Sequence, residues 1–246
     1  MSETEPQIIK QYIEKIEEYT TQIDDYTFQY SKDAAVESIR LLSASIFALS
    51  KDALYTIKNN HIFSACSLTC LIIEAEINLL ALDLNYQEHG KDYIEFGYIE
   101  QLHSLRQHPD WREEILKRMQ QHNCERFFKQ KKGSMLNIKS YKDNWYNTIA
   151  PNLKELAKTA FPHLYDIMQE DTKNIPSINI LYENYHTLCS FKHFAPFVVG
   201  TEFPVKNNFL EAFKDDYKVI ACSCVYSALL VTFTILNRHG EKFHIS

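Results

Sequence analysis

Along most of the chain apolar residues return every three or four positions, with short polar breaks between the runs, and that period predicts helices almost throughout. Ile8, Ile9, Tyr12, Ile13, Ile16, Tyr19 and Ile23 recur at this spacing, so residues 6–24 read as an amphipathic helix within a peripheral N-terminal unit of residues 6–30. A second helix is expected after Ser31 or Asp33, with Val36, Ile39, Ile46, Leu54 and Ile57 inward, ending near Lys58 before Asn59 and Asn60. From about His61 to Leu84 the sequence is apolar nearly all round, which places a third helix in the middle of a bundle. A fourth is expected from about Lys91 to Gln107. Pro109 opens a fifth, with Trp111, Ile115, Leu116 and Met119 inward, running through Phe127 and Phe128 to Gly133.

Residues 134–150 lose the periodicity and read as an irregular insertion anchored by Tyr141, Trp145 and Tyr146. Two short helices follow, 152–160 and 162–170, the second with Pro162 in its first turn. Pro176 starts another that reaches about Phe191. After a loop at 197–208, a last helix spans about Phe209 to Asn237. The expectation is all-α: a multi-helix bundle with long amphipathic helices and irregular insertions, one domain over residues 1–246, one core.

Composition agrees. Of 246 residues 45% are hydrophobic, enough for a sizeable interior, while five Gly and seven Pro are too few for an all-β fold. The net charge of −6 carries no DNA-binding signature. One short basic cluster, Arg126, Lys129, Lys131 and Lys132 around Phe127 and Phe128, with Lys139 and Lys142 beyond, reads as a helix end. The N-terminus lacks a signal-peptide layout, and six cysteines in so long a chain read as reduced thiols, so a cytoplasmic location is expected. Val219 to Leu236 holds no charge, but Ser223, Ser227, Thr232 and Thr234 mark it as a core helix rather than a membrane span.

Candidate chemistry comes from polar residues on apolar helices. On the third helix they form two opposed stripes, Thr69, Glu76 and Asp83 against Ser67, Glu74 and Asn78. Glu74 with Asn78 is taken as the interior stripe, where a carboxylate needs partners; a register-setting role is the alternative. The helix after Pro176 carries Tyr182, Glu183, Tyr185, His186, Cys189 and His193. His186, Cys189 and His193 follow one stripe, which suits a metal half-site, a proton-transfer group or hydrogen-bonded packing.

Glu100-x-x-His103 and Glu183-x-x-His186 repeat the spacing of di-iron bundles, but Glu100 and His103 fall opposite their helix's apolar face, so no metal is expected. Cys66-x-x-x-Cys70 has no second pair and reads as packing. Arg238 and His244 match a ribonuclease spacing at the chain end and are set aside. No phosphate loop, nucleophile elbow or dinucleotide fingerprint is present, and no cofactor is expected.

The run Ile72-Ile73-Glu74-Ala75-Glu76-Ile77-Asn78-Leu79-Leu80, with the later Tyr185-His186-Thr187-Leu188-Cys189 and His193, resembles a bacterial family of helical proteins known as a domain of unknown function. The likeness covers about residues 35–200. Some such families are similar to the higher-eukaryote and prokaryote nucleotide-binding (HEPN) group, several members of which are ribonuclease toxins or phage-defence effectors. The resemblance implies a site lined by Glu74, Asn78 and His193. Two positions depart from the family pattern: Cys70 stands where an arginine is expected, which removes a phosphate-binding group, and Cys189 stands where a serine is expected, so nuclease activity carries over poorly from the resemblance.

The expected function is therefore a non-catalytic binding or interaction module of a bacterial defence or stress system, homodimeric or with a protein or RNA partner. Tyr185, His186, Cys189 and Asn78 are its expected binding residues. The alternative is a metal-independent ribonuclease with His193 as general acid/base beside Glu74.

Overall fold

The computed structural model describes residues 6–26, 28–104, 109–122, 144–146, 149–167, 178–192 and 214–240. Among these residues the architecture is an all-α bundle of eight helices without strands: α1 (Gln7–Asp24), α2 (Ala34–Lys58), α3 (Ile62–Leu84), α4 (Tyr86–Ser104), α5 (Pro109–Gln121), α6 (Leu153–Ile167), α7 (Ile178–Lys192) and α8 (Lys214–Arg238).

Local chemistry sets several boundaries. Asp33 caps α2 by accepting from the Ala35 N–H at 2.9 Å, and Glu37 adds an acidic group to the positive end of the helix. The turn after α2 passes through Asn60 at φ 59°, a left-handed conformation that asparagine tolerates. α4 begins at Tyr86, about five residues earlier than periodicity suggests. The Asn85 carbonyl accepts from the N–H groups of Glu88 and His89, so one residue both ends α3 and opens α4.

The two short helices expected around Pro162 are one continuous helix, α6, with Pro162 exposed inside it. Leu156, Ala157, Ala160 and Phe161 are buried just before Pro162. An interior proline costs roughly 3 kcal/mol, and burying a large apolar side chain returns about 1.5–3 kcal/mol each, so continuous packing outweighs the missing hydrogen bond.

α3 is the centre, packed against α2, α6, α7 and α8. α3 and α8 are each long and apolar enough to cross a membrane, and about two-thirds or more of each such stretch is buried within the fold. The N-terminal helix is not peripheral. Ile9, Ile16 and Ile23, spaced seven apart, are fully buried in the main core, and Tyr19 meets Tyr226 and Phe233 of α8 at ring distances of 5.8 and 5.5 Å. The Tyr26 hydroxyl donates to the Asn237 side chain, pinning the end of α1 to the end of α8.

A small second cluster, Ala34, Ile94, Tyr98, Ile115 and Met119, joins α4 and α5 to the start of α2. α4 crosses α2 at Gly90, where an added Cβ would lie 2.6 Å from Ser38 Oγ and 2.7 Å from Ala35 Cα. Of the irregular insertion expected at 134–150, Trp145, Tyr146 and Ala150 are described and buried in the main core. Tyr141, the end expected for α5 near Gly133 and the loop at 197–208 lie outside the described residues.

Candidate functional site

Glu74 and Asn78 sit one turn apart on α3, half-buried, on the wall of a cleft of about 800 Å³. Asn78 clamps that wall. Its Nδ2 donates to the Glu74 carbonyl at 2.7 Å, and its Oδ1 accepts from the Trp145 indole N–H at 2.8 Å. Trp145 is held edge to face against Tyr93 at 5.5 Å and Tyr146 at 5.7 Å, so a described fragment of the irregular insertion forms part of the cleft.

Six aromatic residues line the space: Tyr30, Tyr93, Phe96, Tyr98, Trp145 and Tyr146. Four carboxylates, Glu37, Glu74, Glu100 and Glu114, face two guanidinium groups, Arg40 and Arg118. Arg40 is committed to Glu37, with Nε donating at 2.6 Å, and to the Phe28 carbonyl at 3.2 Å; Arg118 donates to Glu114 at 3.1 Å. Among the described lining residues the carboxylates outnumber the guanidinium groups by two.

The tyrosines register that field. Burial first, then the Glu100 charge, pushes the Tyr93 hydroxyl up to about 12; burial and then Glu74 raise Tyr146 in the same sense. At Gly97, on the cleft wall, an added Cβ would meet nothing within 4 Å.

α7 comes close to Glu74. Tyr185 and Cys189 are half-buried, and the Tyr185 hydroxyl is raised by burial first, then by its bond to Cys189 and by the Glu74 charge. His186 points to solvent, apart from this group, as does Glu183. Glu100 is exposed as well, so neither glutamate of the two Glu-x-x-His pairs looks into a bundle core. His193 lies outside the described residues, as do His244 and the Arg126 to Lys142 cluster.

The fully buried stripe of α3 is the one opposite to that expected. Thr69, Glu76 and Asp83, spaced seven apart, are 0%, 0% and 6% exposed, whereas Glu74 and Asn78 face the cleft. The reason is the way α3 is surrounded: α8 covers the Glu76 side, while the Glu74 side borders the cleft. Ser227 of α8 donates to Glu76 Oε1 at 2.8 Å, and Oε2 has no partner among the described residues. Burial pushes the Glu76 carboxyl up to about 8, so it is protonated at neutral pH.

At the end of the same stripe Asp83 collects three donors that periodicity did not single out. His163 Nε2 of α6 lies 2.7 Å from Oδ2, His239 Nε2 lies 2.8 Å from Oδ1, and Arg238 also donates to Oδ2. Burial works against the Asp83 charge, but the bonds from His239 and His163 and the Arg238 charge outweigh it and hold the carboxyl below its ordinary value. An ionised carboxylate only accepts, so each imidazole donates to it through its Nε2–H. Counting side chains alone, Asp83 is 1% exposed, His163 15%, His239 12% and Arg238 46%.

The signal available in the sequence was the seven-residue step from Glu76 to Asp83. Its partners come from 80 and more than 150 residues away. Among the described residues no group of three or more His, Cys, Asp or Glu side chains is arranged to hold a metal ion, and at Asp83 the guanidinium already occupies the cation's place. Compared with family models, curated proteins and solved structures, the chain matches none.

Proposed function

We propose that the protein is a non-catalytic binding module of a bacterial defence or stress system, cytoplasmic and able to pair with a second copy, and that its cleft takes a small organic cation. The observation that carries the ligand class is the cleft lining: six aromatic rings with four carboxylates against two arginines, both arginines already committed. Aromatic faces attract cations by about 0.5–2 kcal/mol each, more as water is excluded, and the surplus carboxylate charge adds to this. A neutral ligand gains neither. The likeness of the Glu74 and Tyr185 segments to helical families related to the HEPN group supports the biological setting, and the burial of α3 and α8 within the bundle supports the cytoplasmic reading.

The test is calorimetric titration of the whole chain with ammonium ions of graded size, including choline and its neutral isostere 3,3-dimethylbutan-1-ol. Choline is expected to bind at least about tenfold more tightly, a difference of about 1.4 kcal/mol. A paired Glu74→Gln, Glu100→Gln variant is expected to lose most of that preference. Equal binding of the two, or no binding by any cation of the series, overturns the ligand assignment.

One observation favours a second reading, a metal-independent ribonuclease. Two imidazoles oriented by one carboxylate beside a half-exposed arginine supply a general base, a general acid and a phosphate anchor. On this reading Asp83, His163, Arg238 and His239 are the working group, alongside the earlier candidates His193 and Glu74. Total RNA incubated with the protein in excess chelator would be cleaved by the wild type and by neither His163→Gln nor His239→Gln. Intact RNA in every lane leaves the binding module alone, and loss of cleavage only in His193→Ala returns the role to His193.

A further inference from the structure

We propose that Cys70 and Cys189 form a peroxide-sensitive dithiol, a modification site at which a hydroperoxide joins α3 to α7 through a reversible disulfide. Their sulfurs lie 3.0 Å apart although the residues are 119 positions apart in the chain. That is closer than unbonded sulfurs usually approach, and a disulfide at about 2.05 Å needs the pair to close by only about 1 Å. Both cysteines are unbridged; Cys70 is fully buried and Cys189 is half-buried on the outer side of the pair.

The pairing has a defined position. Cys70 lies one turn from Glu74 on α3, and Cys189 lies one turn from Tyr185 on α7, so a bond between them would pin together two helix segments already close enough for the Glu74 charge to raise the Tyr185 hydroxyl. Two of the other described thiols compete poorly. Cys66 is fully buried one turn before Cys70, and Cys224 is fully buried beside Glu76, where burial and that carboxyl push its thiol up to about 12. A metal held by the two sulfurs would need further ligands, and no such group exists among the described residues.

The chemistry balances without another reactant. Cys189, the reachable sulfur, attacks one oxygen of hydrogen peroxide as its thiolate; the O–O bond breaks, and the departing hydroxide takes up a proton to leave as water. The resulting sulfenic acid on Cys189 is attacked by Cys70. The S–S bond forms, the S–O bond breaks, and the second oxygen leaves as water. Two thiols lose two electrons and two protons, and the peroxide gains them. Because the thiolate is the nucleophile, the reaction is faster at alkaline than at mildly acidic pH. None of this depends on what the cleft binds, so the two proposals fail separately.

The experiment treats the full, reduced chain with a small excess of hydrogen peroxide, blocks remaining thiols with iodoacetamide and maps peptides without reduction. The expected result is a single cross-linked pair containing Cys70 and Cys189, loss of two alkylatable thiols, and recovery of both after dithiothreitol. Cys189→Ser is expected to abolish the cross-link and Cys224→Ser to leave it intact, each variant being checked for its helical content. Pairing of Cys189 with Cys66 or between two chains overturns the proposal. So does accumulation of irreversibly oxidised Cys189 with Cys70 still alkylatable, and this outcome is read in the wild type without any variant.

Discussion

Replacing Glu76 by glutamine should remove most of one pH dependence from the stability of the protein. The Glu76 carboxyl is fully buried, receives one hydrogen bond, from Ser227, and is pushed from an ordinary 4.5 up to about 8. The folded chain therefore holds this proton more tightly than the unfolded chain between those two values. Where the folded state binds more protons, stability falls as pH rises. The contribution is complete below about pH 4.5, is lost through the window, and is gone above about pH 8. A displacement of that size, at about 1.4 kcal/mol per unit, amounts to about 5 kcal/mol.

Glutamine keeps the shape and does not titrate. The assay is urea unfolding of the wild type and Glu76→Gln at intervals from pH 4.5 to pH 8.5, taking the difference between the two so that groups common to both cancel. The variant is expected to gain on the wild type by about 3–5 kcal/mol across the range. A difference that stays constant within about 1 kcal/mol, or that moves the other way, would refute the reasoning, because it would mean that the carboxyl is ionised and well solvated in the folded chain.

Three further outcomes are expected. Gly90→Ala should cost about 1–3 kcal/mol in denaturant unfolding by forcing α4 off α2 at Ser38 and Ala35, whereas Gly97→Ala, with open space at its Cβ, should raise stability by about 0.5–1 kcal/mol. Asp83→Asn should cost about 1–3 kcal/mol at pH 7 by leaving the His163 and His239 donors and the half-exposed Arg238 without their carboxylate. Because Asp83 is held below its ordinary value of 3.8, its contribution is present above that pH and is lost as pH falls through the lowered value, so the wild type and variant should converge in acid. Trp145→Phe should cost about 1–3 kcal/mol by leaving the half-buried Asn78 Oδ1 without its donor, and Asn78→Ala combined with it should cost less than the two changes added, because they remove one shared bond.

The helices were legible because their apolar period is strong, and α2 in particular followed from Asp33 at one end and Asn59 at the other. Periodicity failed at Pro162, where local preference argued for a break and the burial of Phe161 and its neighbours overrode it. It also left α3 ambiguous. A helix apolar nearly all round shows two polar stripes, and only its neighbours decide which is interior; the covering of Glu76 by Ser227 of α8 is a contact across 151 residues. Asp83 with His163 and His239, and Cys70 with Cys189, are likewise invisible to spacing, since their partners arrive on helices folded back from far along the chain. Glu74, Asn78, Tyr185 and Cys189 stand out from their positions on helical stripes; in the fold the Glu74 charge reaches Tyr185, and Asn78 clamps Trp145.

The cleft as a receptor for an organic cation is tested most directly by its own tryptophan. The chain has two, and Trp111 on α5 is 64% exposed, so Trp111→Phe leaves Trp145 as the only reporter. Titrating that variant with quaternary ammonium ions should change the Trp145 emission saturably, with an affinity that weakens as salt is added, while the neutral isosteres leave it unmoved. An emission spectrum indifferent to every cation, or equally responsive to the neutral compounds, would contradict the assignment.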